Sequence, residues 1–117
     1  MFSISVTNVY YSPLDSRSVY IGRGAGRYTP SALHNPFIVG KGYARGEAFI
    51  AHKEWFMDKA RRKDFSVNEK NELRKIYNMA QEPDGVKLVC HCKQPNHHRD
   101  CHGDTIKSYL EFLYNSN

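Results

Sequence analysis

The chain has 117 residues, 40% of them hydrophobic and 25% charged, which fits one domain with a hydrophobic core, residues 1–117, rather than two domains. No segment approaches the roughly 20 apolar residues of a membrane span, and the N-terminal residues lack the pattern of a signal peptide, so we expect a cytoplasmic protein without a membrane partner. The formal net charge of +5 favours polyanionic partners such as nucleic acid or phosphorylated small molecules.

The first third of the chain predicts two strands and a loop. Residues 2–11 alternate apolar and polar side chains and run into the turn residues Ser12-Pro13, a pattern typical of a strand. A second β-prone run, Val19-Tyr20-Ile21, leads directly into the glycine-rich turn Gly22–Arg27. The segment Tyr28–Gly42 has no hydrophobic period and is predicted as an ordered loop.

The rest of the chain predicts three helices and one strand. The first helix begins near Arg45, and its apolar stripe consists of Ala48, Phe49, His52, Trp55, Phe56 and Lys59. Ser66 and Glu69 form a capping box for a second helix. After the strand Val86–Cys92, a last helix has apolar positions at Ile106, Tyr109, Leu110 and Leu113. The order β-β-loop-α-α-β-α predicts a small single-domain α/β sandwich with a short, partly parallel sheet and about three helices.

The stretch Val86–Asp104 is the predicted functional centre. It contains all three cysteines and four of the six histidines, and it is predicted as strand, loop and helix. In open α/β sheets, ligands are usually held at the carboxyl ends of the strands. Three cysteines cannot all pair with one another, which favours reduced thiols or metal ligands over a disulfide framework.

Two kinds of chemistry suit this stretch. Cys90, Cys92, Cys101 and His102 form a ligand set that suits tetrahedral zinc, although the Cys-x-Cys and adjacent Cys-His spacings are irregular for a zinc site. Without metal, Cys101 at a helix N-terminus beside His102 is a candidate nucleophile, and Cys90 is then a small buried hydrophobe. The metal-free interpretation is favoured, because adjacent side chains at a helix start diverge by roughly 100°. Asp104 is predicted to be the helix N-cap.

Two further segments are candidate binding elements. In the Gly22–Arg27 turn, backbone amides and the guanidinium groups of Arg23 and Arg27 suit an anion, although the turn matches neither a dinucleotide-binding nor a Walker motif. The alternative for it is a flexible surface turn. Prolines stiffen the segment around Asn35, which would display that side chain over a pocket. The alternative is a turn in which Asn35 bonds its own backbone.

Several of these segments occur together in one family. Along the chain the segments are Val19–Arg23, Asn35–Phe37, a helix with Trp55, Leu88–Cys92 and Cys101–Asp104. In the order of these segments the chain resembles the family called domain of unknown function 4326, which is found in bacteria and their phages. The resemblance covers nearly the whole chain, and Lys93–Asp100 is an insertion that carries His97 and His98. It implies a phage origin and a single site formed by Arg23, Asn35, Cys92, Cys101, His102 and Asp104. It attaches no activity.

The leading hypothesis is a domain that binds a phosphorylated, nucleotide-like ligand between the Gly22–Arg27 turn and the Cys90–Asp104 loop. The predicted ligand-binding residues are Arg23, Arg27, Asn35 and Asp104. In this hypothesis Cys101 and His102 carry any catalysis, and the sequence leaves open whether the ligand is bound, processed or sequestered.

Two other functions compete with it. The first is a basic nucleic-acid-binding module with a structural Cys/His zinc cluster, in which Arg61, Arg62 and Lys63 contact phosphates. The same cations are also explained as the solvated C-terminal end of a helix, where they complement the helix dipole. The second is a phage protein that blocks a host protein through surface contact. The oligomeric state is left open.

Overall fold

A computed structural model of the protein describes residues 2–8, 14–23, 30–37, 42–90 and 101–116. Within these ranges the elements are β1 (Ile4–Asn8), β2 (Ser18–Tyr20), α1 (Arg45–Arg62), α2 (Val67–Ala80), β3 (Val86–Cys90) and α3 (His102–Asn115). This order confirms the predicted α/β class with three helices. Among the described residues, no helix combines the length and the apolar character that crossing a bilayer requires.

The three described strands form one parallel sheet with β3 in the centre. The strand order is β1-β3-β2, with Ile4 paired to Val86 and Val19 paired to Leu88. Four of the five residues of β3 are buried, as expected of a central parallel strand. Strand β1 begins at Ile4 rather than at residue 2, and residues 9–11 of the first predicted strand lie outside the described residues, as does Cys92, the predicted end of the third strand.

One hydrophobic core joins the sheet to all three helices. Its members from the strands and loops are Ile4, Val19, Ile21, Leu33, Val86, Leu88 and Cys90, and those from the helices and the start of α3 are Phe56, Leu73, Ile76, Ala80, Cys101, Ile106 and Leu110. Val86, Leu88 and Cys90 alternate along β3 and therefore face the helices. Because both described cysteines belong to this core, the predicted site rests on the most buried part of the protein.

The ends of α1 and α2 are set by local sequence. The predicted capping box of α2 is confirmed, because Ser66 Oγ accepts the Glu69 N–H at 3.1 Å and Glu69 Oε1 accepts the Ser66 N–H at 2.8 Å. Helix α1 ends at Arg62 and is followed by its C-cap Lys63, which has a left-handed φ of 55°. Arg61 and Arg62 lie in its last turn and both pair with Asp58 at the surface. Their position matches the helix-end explanation of the basic run.

Candidate functional site

The carboxyl ends of the strands and the start of α3 meet at one edge of the sheet. Strand β3 ends at Cys90, and β2 continues as Ile21, whose N–H donates to Val89 O at 2.9 Å. Since the strands are parallel, these ends lie at the same edge, where ligands bind in α/β sheets. Helix α3 begins here with Cys101 and His102. We call Cys90, Cys101 and His102 the Cys–His cluster.

The side chains of the Cys–His cluster lie close together. Cys90 Sγ and Cys101 Sγ are reduced thiols 3.0 Å apart, with residue exposures of 0% and 1%. Cys101 Sγ lies 3.7 Å from His102 Nδ1. His102 Nε2 lies 2.7 Å from Ile21 O, so we assign the proton to Nε2 and the lone pair to Nδ1, which faces Cys101. A thiol, a base and a group that orients the base are thus in contact.

The prediction that the side chains of Cys101 and His102 diverge is wrong. Cys101 is the N-cap of α3 and has extended backbone angles, φ −129° and ψ 152°. The helical rotation of about 100° between neighbours applies only where both residues are helical, and only His102 is. The two side chains therefore converge, and this objection to a shared metal no longer applies.

Asp104 has a different position from the one predicted. The N-cap is Cys101, and Asp104 is the third residue of α3, where Oδ2 accepts the Cys101 N–H at 2.8 Å. The Gly103 N–H donates to Cys101 Sγ at 3.4 Å. A carboxylate beside these amides disfavours a phosphate in the first turn of α3. The same Gly103 N–H and the helix dipole favour the thiolate form of Cys101.

Of the predicted binding residues, Arg23 is placed near the Cys–His cluster. Its side chain is exposed, and it follows β2 at the same edge of the sheet. Burial lowers the pKa of His102 and outweighs the hydrogen bond to Ile21 O and the nearby Cys90, which raise that pKa, while His34 and Arg23 add to the lowering, so the imidazole is neutral near pH 7. Arg27 lies outside the described residues, as do His97 and His98.

Asn35 forms the local turn that was its alternative interpretation. Its Oδ1 accepts the Phe37 N–H at 2.9 Å, and its Nδ2 donates to Ala48 O at 3.4 Å. The side-chain oxygen of Asn35 therefore closes a turn within the loop, and the side-chain nitrogen ties the loop to α1. A direct contact between Asn35 and a ligand stays a prediction.

The zinc interpretation also stays a prediction. Three of its four ligands, the Cys–His cluster, are brought together, but the fourth, Cys92, lies outside the described residues. Within the described ranges, no group of three or more His, Cys, Asp or Glu side chains is arranged to hold a metal ion.

Elemental analysis decides between zinc and a reactive thiol. If zinc is bound, we expect near-stoichiometric metal and a melting temperature that falls on chelation, because the metal ties β3 to α3. If it is absent, we expect Cys101 to react with iodoacetamide well below the unperturbed thiol pKa of about 8.5, and Cys101→Ser to remove that reaction. Metal-free protein with only slow thiols would contradict both interpretations.

The sequence did not single out His52 as a functional residue. It lies in α1, its exposure is 0%, and its ring is 5.4 Å from that of His102 between centroids. Burial, followed by the charges of His102 and His34, lowers the pKa of His52 to about 3. Neither ring nitrogen has a hydrogen-bond partner among the described residues, which costs about 1–3 kcal/mol for a buried polar group. The only sequence signal was a histidine within an apolar stripe.

Comparison with curated proteins and with solved structures finds no significant match. A family model matches residues 8–112, which include every described residue of the Cys–His cluster as well as Arg23 and His52. This match confirms the resemblance derived from the sequence segments. The chain belongs to the family described as Domain of unknown function (DUF4326).

Proposed function

We propose that this domain binds a phosphorylated, nucleotide-like ligand at the carboxyl edge of its sheet, with Cys101 as a reactive thiol and His102 as its base. One observation carries the proposal. Cys101 Sγ lies 3.7 Å from His102 Nδ1, while His102 Nε2 is held on Ile21 O at 2.7 Å, at the edge where α/β sheets bind ligands.

The two thiols of the Cys–His cluster differ in their surroundings. Cys101 Sγ accepts the Gly103 N–H and lies at the N-terminus of a 14-residue helix, and both features favour the thiolate. The lone pair of His102 Nδ1 faces Cys101 Sγ and is placed to accept the thiol proton. Cys90 Sγ instead donates to Thr7 O at 3.6 Å, which requires its proton. The asymmetry assigns nucleophilic character to Cys101 and leaves Cys90 as a protonated neighbour.

Arg23 supplies the positive charge that a phosphorylated ligand needs. Its guanidinium is exposed to solvent, and its charge is close enough to act on the buried His102. An arginine fork binds phosphate through paired, charge-assisted hydrogen bonds. Because Asp104 occupies the first turn of α3, we assign the phosphate to Arg23 rather than to the helix amides.

Isothermal titration against nucleoside phosphates and cyclic dinucleotides tests the proposal. We expect at least one of them to bind, and Arg23→Gln to weaken that binding by about 10- to 100-fold, because a charge-assisted pair contributes about 1.5–3 kcal/mol. The matched control is Arg62→Gln, an exposed arginine at the end of α1, which should leave the affinity unchanged. The proposal fails if the unmodified protein binds none of these ligands more tightly than millimolar.

The competing functions stay predictions from the sequence. Arg61 and Arg62 pair with the same carboxylate at a helix C-terminus, so the structure explains them without a nucleic acid. No contact among the described residues favours nucleic acid or a host protein as the partner. A low-salt gel shift in which the unmodified protein retains no DNA or RNA would rule out the nucleic-acid module.

A further inference from the structure

A groove between α2 and α3 lies apart from the site described above. It encloses a cavity of about 360 Å³, a volume in the range of pockets that hold small molecules, and none of its lining residues belongs to the Cys–His cluster. Leu73 of α2 and Leu110 of α3 are the buried, apolar part of its lining. Three aromatic side chains that are only half-buried, Phe65, Tyr77 and Tyr109, line the rest of it. The groove therefore offers an accessible and largely aromatic surface.

Neighbouring rings hold the aromatic lining of the groove in place. The Tyr109 ring lies 5.9 Å from the ring of Phe65 and 5.4 Å from that of the buried Phe56, measured between centroids. The Tyr77 ring lies 5.3 Å from that of Phe2. Because these rings are ordered before anything binds, a ligand that packs on them pays little for arranging them. Such a lining suits a flat aromatic group, which gains stacked or edge-to-face ring contacts.

Two cations, Lys70 and Arg74, line the same groove in an arrangement that is unfavourable without an anion. They lie one turn apart on α2, where like charges repel each other. No ion pair within the described part of the chain includes either of them, and no carboxylate lies three or four positions from either along α2. Neither lies in the last turn of α2, so the helix dipole that accounts for Arg61 and Arg62 does not account for them.

We infer that the groove between α2 and α3 is a second binding site, for a small aromatic acid with one carboxylate or sulfonate group. The rings of this ligand pack on the aromatic lining, and its anionic group pairs with Lys70 and Arg74. The neighbouring exposed positions of α2, Asn71, Lys75 and Asn78, are polar, so the apolar contact ends at the groove, as suits a small molecule rather than a protein partner. A second copy of this chain, with a net charge of +5, would bring further positive charge to the two cations.

Fluorescence titration with two related dyes tests the role of the charge. Anilinonaphthalenesulfonate and phenylnaphthylamine have the same rings, but only the first carries a sulfonate. We expect one molecule of the sulfonate dye to bind per chain. Arg74→Gln should weaken that binding by about 3- to 10-fold, because it removes a charge-assisted hydrogen bond, and should leave the affinity for the uncharged dye unchanged. The matched control Lys75→Gln removes the same charge from the next residue of α2, which is exposed and does not line the groove, so neither affinity should change.

Two further substitutions test the position of the site. Leu113 is half-buried in the lining of the groove, and Leu113→Trp fills part of the cavity, so both dyes should bind about tenfold more weakly. Arg23→Gln changes the edge of the sheet that we propose for the nucleotide-like ligand, and it should leave both dye affinities unchanged. This separates the aromatic-acid site from the proposed nucleotide site, so either one can fail without the other.

Several results would overturn the inference. It is wrong if the unmodified protein binds the sulfonate dye no more tightly than millimolar, if Lys75→Gln weakens the dye as much as Arg74→Gln does, or if Leu113→Trp changes neither affinity. Displacement of the dye by a nucleoside monophosphate would overturn it as well, because the nucleotide would then occupy this groove. A dimer in analytical ultracentrifugation that the dye dissociates would instead assign the groove to a second copy of the chain.

Discussion

Replacing Gly103 with alanine should destabilise the protein by about 1–3 kcal/mol and disrupt the Cys–His cluster, because the first turn of α3 packs directly on the sheet. A Cβ at Gly103 would lie 2.8 Å from Val6 Cγ1 and 2.9 Å from Ile21 Cδ1. Ile21 is fully buried, so the start of α3 must move away to make room. That movement lengthens the 2.7 Å contact between His102 Nε2 and Ile21 O. We therefore expect weaker nucleotide binding as well as a lower melting temperature.

Gly46 provides a matched control for this substitution. Gly46 and Gly103 are each the second residue of a helix, but a Cβ at Gly46 would meet no atom within 4 Å. Gly46→Ala should therefore stabilise the protein by up to about 0.5–1 kcal/mol, since alanine loses less backbone entropy in a helix. Calorimetry of both variants measures the contrast. A Gly103→Ala protein as stable as the unmodified one would show that α3 is not clamped to the sheet.

The second large effect is expected from Glu69→Gln. Lys59 Nζ lies 2.6 Å from Glu69 Oε1 and 2.8 Å from Oε2, and the two side chains are only 20% and 7% exposed. Lys59 also lies over the Trp55 ring, 4.3 Å from its centroid. Glutamine can still accept the Ser66 N–H in the capping box, so the substitution removes the charge alone. An uncompensated buried ammonium remains, and we expect a loss of about 2–4 kcal/mol, near the range for a broken buried pair.

The pH dependence of the free energy of unfolding separates the contribution of the Glu69 charge from other effects of the substitution. Burial favours a higher pKa for Glu69, but the hydrogen bonds from Lys59 and Ser66 outweigh it, so the pKa lies below the usual 4.5. A lowered carboxylate pKa means that the stabilisation is complete above about pH 4.5 and is lost as the pH falls through the folded-state value. The difference between the unmodified protein and Glu69→Gln should therefore shrink below that pH.

Two comparisons check this interpretation by denaturant unfolding at several pH values. The buried histidines His52 and His102 have lowered pKa values, so both proteins should lose stability together as the pH falls below 6.5, and that loss cancels in the difference. Asp58→Asn breaks the exposed pairs with Arg61 and Arg62 and should cost at most about 0.5 kcal/mol. If Glu69→Gln lowers the free energy of unfolding by as little as Asp58→Asn does, the buried pair of Lys59 and Glu69 does not stabilise the protein in the way described.

The elements of the fold were predictable because their signals are local. The hydrophobic period and the Ser66–Glu69 capping box each depend on residues a few positions apart, and both are observed. The edge of the sheet that holds the Cys–His cluster was predictable as well, since parallel strands and a following helix place their shared end in one region. Asn35 also follows a local signal, because its side chain accepts the Phe37 N–H in the turn that was its alternative interpretation.

The contacts that define the candidate site were decided by tertiary structure. The sequence by itself determined the α/β order, the family segments and the stretch in which Cys101 and His102 lie. It predicted that their side chains diverge, because it could not show that Cys101 is extended while His102 is helical. It left His52 among the apolar residues of α1, because only packing against α3 brings that ring to His102. Contacts between residues far apart in the chain depend on how helices and strands pack together, and local periodicity carries no information about that packing.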